Sequence, residues 1–256
     1  MGSVALYGPW YHFSHMENTD SGINKFLVPA AVVLAGLFIA GAVMWNGSHP
    51  VGTSDTAAAP SVNIKDVNTN GLPFIGQADA PVTIAFWSDY QCPYCKAFEV
   101  GGVNGINIDP ALPEIIKNYV DTGKVKVVFF DFPFLGQDSV TAAEYNQSIW
   151  KLYPDQYFAW RTAMYNAQDQ EGDQGFGNAA SIDKLNATIP GLDAAKITAD
   201  VAANKAAYDA QASAERAEGQ KFGINATPSF IIGEQMVPGA APFSSFQTLI
   251  EAQLAK

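Results

Sequence analysis

Cysteine is almost missing from this 256-residue sequence: there are two, Cys92 and Cys95, and their spacing allows only a local pair. A multi-bridge framework of the kind that staples small secreted folds is excluded. Histidine is absent where chemistry would need it, because all three (His12, His15 and His49) precede residue 50. The rest of the chain has no imidazole to ligate a metal or act as a base. Positive charge is also thin, with fourteen Lys and Arg against twenty-five Asp and Glu for a net charge of -11. Such a chain repels polyanions, so no nucleic-acid partner is expected.

What is present begins with an apolar run. From Phe26 to Trp45 the sequence reads FLVPAAVVLAGLFIAGAVMW, twenty residues without a charge. At about 1.5 Å per residue this matches a hydrocarbon core of about 30 Å and predicts one transmembrane helix. Pro29 falls in its first turn and Trp45 at its interfacial end, both favourable places. A cleaved signal peptide has an apolar core of about 7 to 15 residues followed by a small-x-small site. Here Trp45-Asn46-Gly47-Ser48-His49 follows, so an anchor is the preferred reading. Lys25, the one basic residue near either end of the run, favours a cytoplasmic side for residues 1–25. Residues 46–71 have the Gly, Ser, Thr, Ala, Asn and Pro composition of a flexible tether, which leaves 72–256 as one folded domain.

Within that domain, residues 81–87 form a β-branched and aromatic run that reads as a buried strand. A helix is expected to open at Cys92, with Pro93 in the first helical position. A second helix over 111–122 ends at Gly123, and a second strand covers 124–130. Strand, helix, strand predicts a parallel pair with a right-handed crossover. Residues 140–223 read as mostly helical, 227–232 as a strand, Gly233-Glu234 as a hairpin turn, 235–237 as its return, and 243–254 as an amphipathic closing helix. The class is α/β.

Two cysteines at i and i+3 can close a small disulfide ring. At a helix start the first sulfur faces unpaired N-H groups and the positive end of the helix dipole, which favours a thiolate. Lys96 supports that charge, whereas Asp89 and Glu99 oppose it. An incoming thiolate would attack Cys92 of the oxidised pair, and Cys95 would resolve the mixed disulfide in the reverse direction. A zinc half-site lacks its remaining ligands. A structural disulfide closing so short a loop stabilises little. Redox chemistry is the preferred reading, and it requires no metal or cofactor.

The segment Ser88-Asp89-Tyr90-Gln91-Cys92-Pro93-Tyr94-Cys95-Lys96-Ala97-Phe98, with Ala226-Thr227-Pro228-Ser229-Phe230 far downstream, resembles the DsbA-like branch of the thioredoxin superfamily. Ala80-Pro81-Val82-Thr83-Ile84 and Val237-Pro238-Gly239-Ala240 strengthen the resemblance, which covers about 71–255. It implies a thioredoxin fold with a helical insertion over about 138–223. The insertion accounts for the 136 positions (228 minus 92) between Cys92 and Pro228. Pro93-Tyr94 also occurs in glutaredoxins, but the anchor and the insertion argue against that branch.

The resemblance further implies a cis Thr227–Pro228 bond against the disulfide, with the Thr227 backbone pairing to an extended substrate. Thioredoxins carry a buried carboxylate six residues before the first cysteine, where this chain has Phe86; Asp89 and Asp131 are the candidate acid-base groups in its place. The implied activity is an extracytoplasmic oxidase that introduces disulfides into cysteine-containing extended proteins and is reoxidised by a membrane redox partner. A reductase or isomerase using the same pair, and a peptide-binding chaperone with a structural disulfide, are the alternatives.

Overall fold

The computed structural model describes residues 62–169 and 175–256. The apolar run at 26–45, expected as a membrane helix, lies outside them. Among the described residues no helix is long and apolar enough to cross a membrane.

Strand β2 (Val82–Ser88) is buried along its whole length except at Thr83, as a central strand covered on both faces must be. It lies at the middle of a five-stranded sheet of order β1-β3-β2-β4-β5. Strand β3 (Val125–Asp131) runs parallel to β2, from Val82 opposite Val125 to Ser88 opposite Asp131. Helices α1 (Pro93–Glu99) and α2 (Ala111–Ile115) make the crossover. Strand β4 (Ser229–Ile232) pairs antiparallel on the other side of β2, and β5 (Gln235–Pro238) returns from it through the turn at Gly233-Glu234. The short β1 (Phe74–Ile75) pairs antiparallel with β3. This register brings the carboxyl ends of β2 and β3, the amino end of β4 and the start of α1 to one edge of the sheet, where α/β proteins build their sites.

Alternation along the strands makes two cores. Phe86, Phe129 and Phe230 face Phe98 of α1 and Phe246 of the last helix, α7 (Phe243–Leu254). On the opposite face Trp87, Phe130 and Ile231 pack with Val67, Leu72, Phe222 and Ile224. Trp87 stacks on Phe130 with ring centroids 4.3 Å apart, and its indole N-H donates to Glu215 O at 3.0 Å.

Between β3 and β4 the described residues form four α-helices: α3 (Gln137–Leu152), α4 (Tyr157–Ala167), α5 (Ala179–Asn186) and α6 (Ala194–Lys221). Asn178 and Asp193 cap the amino ends of α5 and α6 through their side-chain oxygens. Helix α6 crosses the sheet so closely that a Cβ at Gly219 would lie 2.8 Å from Trp87 Nε1.

Two details differ from the sequence expectation. The helix expected over 111–122 is α-helical only to Ile115 and continues as a π-turn over Ile116–Val120, in which Asp121 N donates to Ile116 O at 2.9 Å. The wider turn faces the consecutive Tyr119 and Val120 inward. Residues 62–71, whose composition resembles a tether, are packed on the domain. Val67 is buried, Ile64 N donates to Gly233 O at 2.7 Å, and Asn68 N donates to Glu218 Oε1 at 3.0 Å.

Candidate active site

Beyond β2 the chain turns at Asp89–Gln91, with Cys92 N donating to Asp89 O at 3.1 Å, and Cys92 becomes the N-cap residue of α1. Its cap position has no side-chain partner, and Pro93 occupies the first helical turn. Both cysteines are free thiols. Cys92 is 4% exposed and Cys95 is fully buried, so of the two cysteines only the first reaches solvent. It is less open than a surface thiolate, because the Thr227–Pro228 segment lies against it. Cys92 Sγ donates to Thr227 O at 3.3 Å, and the Thr227–Pro228 bond is cis. Tyr94, between the two cysteines in sequence, is half-exposed.

The two sulfurs are unequal. The Cys95 thiol donates to Cys92, and this is the main reason the Cys92 pKa is lowered. Burial opposes the shift, while the Thr227 hydroxyl and the amides of Cys95 and Tyr94 add to it. The first-turn amides therefore act as expected but are outweighed by the partner thiol. Burial pushes Cys95 well above an ordinary thiol, and the nearby Cys92 adds to the effect. Thr227 Oγ1 is buried with no conventional hydrogen-bond partner, and it favours ionisation of both sulfurs.

The carboxylates of Asp89 and Asp131 hydrogen-bond neither sulfur. Asp89 Oδ1 accepts from Gln91 N at 2.9 Å, and Oδ2 accepts from Phe134 N at 2.9 Å and Leu135 N at 3.3 Å. It ties the active-site turn to the loop after β3, and burial pushes its carboxyl up. What Asp89 offers Cys95 is its backbone amide. Asp131 Oδ2 accepts from Asn146 Nδ2 and Gln147 Nε2, both at 2.9 Å. Gln147 Nε2 also donates to Glu215 Oε1 at 2.9 Å, and Asp131 N donates to Glu215 Oε2 at 2.6 Å. Two buried carboxyls thus share the Gln147 donor, and burial is the main cause that raises Asp131 to about 7 and Glu215 well up.

That pair gives a pH-dependent stability. A carboxyl whose folded pKa exceeds its unfolded value stabilises fully below the unfolded value, near 4, and loses that contribution as pH rises through the folded one. For Asp131 the window runs from about pH 4 to about 7, and Glu215 acts in the same direction. Urea unfolding across this range is expected to show stability falling by a few kcal/mol, since one proton contributes about 1.4 kcal/mol per pH unit. Asp131→Asn keeps an acceptor for Asn146 and Gln147 and should flatten the slope. An Asp131→Asn profile as steep as the parent's would exclude Asp131 as its source.

A second polar cluster lies behind α1. Arg161 of α4 is fully buried; its Nε donates to Glu99 Oε1 at 3.1 Å and Oε2 at 3.0 Å, and its Nη2 to Glu99 Oε1 at 2.5 Å. Nη2 also donates to Ser88 Oγ at 2.7 Å, and Nη1 to Tyr90 OH at 3.1 Å. Burial alone would disfavour the guanidinium charge, but Glu99 and the surrounding tyrosine hydroxyls hold it protonated. Glu99 is therefore neutralised by Arg161 and does not act on Cys92 as an unpaired anion. Lys96 is likewise engaged, donating to Gln168 O at 2.8 Å.

The Thioredoxin family profile matches residues 68–252, which span both the cysteine pair and the cis-proline segment. The chain belongs to the thioredoxin family. Among curated proteins it is similar to disulfide bond formation protein D of Bacillus subtilis, 27% identical over 218 residues that cover 82% of this chain and 86% of that protein. Among solved structures it is similar to oxidised BdbD from Bacillus subtilis, with a TM-score of 0.65 and 25% identity over 77% of this chain and 99% of that one. Chlamydia trachomatis DsbA shares the fold, with a TM-score of 0.61 and 19% identity over 77% of this chain and 97% of that one. The expected DsbA-like thioredoxin fold is the fold found.

Sequence reasoning singled out Cys92, Pro93, Tyr94, Cys95, Thr227 and Pro228, and these meet at one sheet edge. It missed Arg161, Asn146, Gln147, Gln168 and Glu215. The one available signal was Arg161 itself, one of two arginines in the chain, set among Tyr157, Trp160 and Tyr165.

Proposed function

We propose that this protein is a thiol-disulfide oxidoreductase working as an oxidase, with Cys92–Cys95 as its redox pair and cysteine-containing extended proteins as its substrates. The observation that carries the reading is the inequality of the sulfurs: a stabilised Cys92 thiolate beside a Cys95 held strongly as a thiol. A thiolate favoured at Cys92 stabilises the reduced form, which makes the disulfide a stronger oxidant. It also makes Cys92 the better leaving group.

In the oxidised protein a substrate thiolate attacks Cys92 Sγ, the Cys92–Cys95 bond breaks, and Cys95 leaves and takes up a proton. The second substrate thiolate then attacks the substrate sulfur of the mixed disulfide, releasing the substrate disulfide and the Cys92 thiolate. Two electrons have moved from substrate to enzyme. Thr227 and Pro228 form the wall along which an extended substrate pairs. The high protonation range of the Asp131–Glu215 pair supports a reserve of protons behind the site, with Asp89 holding the turn.

The same proposal assigns residues 26–45 to a membrane anchor, with residues 1–25 on the cytoplasmic side. The ordered domain then lies on the extracytoplasmic side, where a membrane partner reoxidises the pair. The test is equilibration of the reduced chain with glutathione buffers. An oxidase is expected near -120 mV; a value near -270 mV overturns the direction in favour of a reductase. Inactivity in both insulin reduction and dithiol oxidation would instead support a peptide-binding module.

A further inference from the structure

One insertion side chain reaches the nucleophile's own peptide. Gln168 directly follows the last residue of α4 and is buried. Its Nε2 donates to two carbonyls of the active-site turn, Tyr90 O at 2.7 Å and Cys92 O at 3.1 Å. Its main-chain carbonyl accepts from Lys96 Nζ at 2.8 Å. A single residue of the insertion thus holds both sides of Gln91 and, through Lys96, the helix that Cys92 starts.

Helix closure does not require this contact. Cys92 O already accepts from Cys95 N at 3.1 Å and Lys96 N at 3.2 Å, the hydrogen bonds that form the first turn. The Gln168 donor is additional, and it lies on the peptide whose orientation fixes where Cys92 Sγ stands relative to its stabilising partners. Those partners include the Cys95 thiol, the Tyr94 and Cys95 amides and the Thr227 hydroxyl. The segment is tied from a second side, since Gln91 Nε2 donates to Phe176 O at 3.0 Å. A Cβ at Gly177 would fall 2.1 Å from that nitrogen.

We propose that Gln168 is a positioning residue for thiol-disulfide exchange: its carboxamide clamps the Tyr90 and Cys92 carbonyls, keeps Cys92 Sγ among its donors and thereby sets the oxidising strength of the pair. The inference rests on the reading of Cys92 as the nucleophile. The α4 end of the insertion then tunes the chemistry through a side chain that touches no reacting atom. Without the carboxamide donor, Tyr90 O loses a buried partner, the turn relaxes, and the thiolate loses part of its stabilisation.

The test is Gln168→Met in the full chain, which keeps side-chain length and the main-chain carbonyl under Lys96 but removes both donors. Thiolate absorbance of the reduced protein at about 240 nm should titrate about one unit higher than in the parent. One unit is a tenfold change in thiolate stability, so glutathione should reduce the disulfide with an equilibrium constant about tenfold smaller. Asp193→Ala, which removes the cap at the amino end of α6 (Lys196 N to Asp193 Oδ1, 3.0 Å) and leaves Gln168, Gln91 and Phe176 untouched, should melt lower with an unchanged thiolate titration. Should Gln168→Met not fold, Gln168→Asn, one methylene too short to hold both carbonyls, should shift the titration in the same direction by less. A Gln168 variant that melts lower yet titrates and equilibrates like the parent overturns the proposal and leaves Gln168 a structural tie. A parent chain that does not exchange with glutathione at all defeats the oxidoreductase reading instead, so the two failures are distinguishable.

Discussion

Arg161→Met is expected to cost the domain about 3–5 kcal/mol, the range for removing one partner of a buried ion pair. The pair is fully enclosed, with side-chain exposures of 0% for Arg161 and 2% for Glu99, so water cannot take over the lost contacts. Methionine preserves much of the packing volume over Phe129, whose ring lies 4.2 Å from the guanidinium carbon. It leaves Glu99 without its counter-charge and Ser88 Oγ and Tyr90 OH without a donor. The double variant Arg161→Met with Glu99→Leu should recover a large part of the loss, because an apolar pair often replaces a buried ion pair at little cost. Urea denaturation of the parent, of Arg161→Met and Glu99→Leu alone and of the double variant gives the coupling. A single variant within about 1 kcal/mol of the parent would show that Glu99 becomes protonated there, with burial raising its carboxyl once the guanidinium is gone.

Local signals carried most of the fold. The run at 81–87, Pro93 after Cys92, the Gly233-Glu234 turn and the apolar face of 243–254 each report chain geometry over a few residues, and each element stands within a residue or two of its expected position. The two-residue β1 is too short for any period to reveal. The segment 62–71 was obscured by its polar composition, because its packing against the second core rests on the scattered Val62, Ile64 and Val67.

The site was legible as far as its motifs reached. The residues that support it pair across long separations: Arg161 with Glu99 over 62 positions, Glu215 with Asp131 over 84, and Gln168 with Cys92 over 76. A glutamate in the alanine-rich α6 looks like one more solvated helix charge until the helix is laid across Trp87. Phe86 is the informative departure. It takes the strand position of the usual carboxylate and stacks on Phe230 at 4.5 Å. The buried acids lie instead at the end of β3 and on α6, where they contact the insertion rather than the sulfurs.

Cys95→Ser is expected to hold its substrate. With no resolving thiol, a substrate disulfide attacked by Cys92 remains as a mixed disulfide, visible as a shifted band on non-reducing gels and lost with dithiothreitol. Cys92→Ser should bring exchange down to the uncatalysed background, because the remaining Cys95 is fully buried and held as a thiol far above the ordinary range. The geometry adds a finer expectation. The largest stabiliser of the Cys92 thiolate is the Cys95 thiol donating to it, and a serine hydroxyl can take over that role whereas alanine cannot. Cys92 should therefore titrate higher in Cys95→Ala than in Cys95→Ser, and Cys95→Ala should form its mixed disulfide more slowly near pH 7. Equal titrations in the two variants would mean that the helix amides and Thr227 dominate the thiolate. Absence of any adduct in Cys95→Ser, together with full activity in Cys92→Ser, would remove this pair from the chemistry.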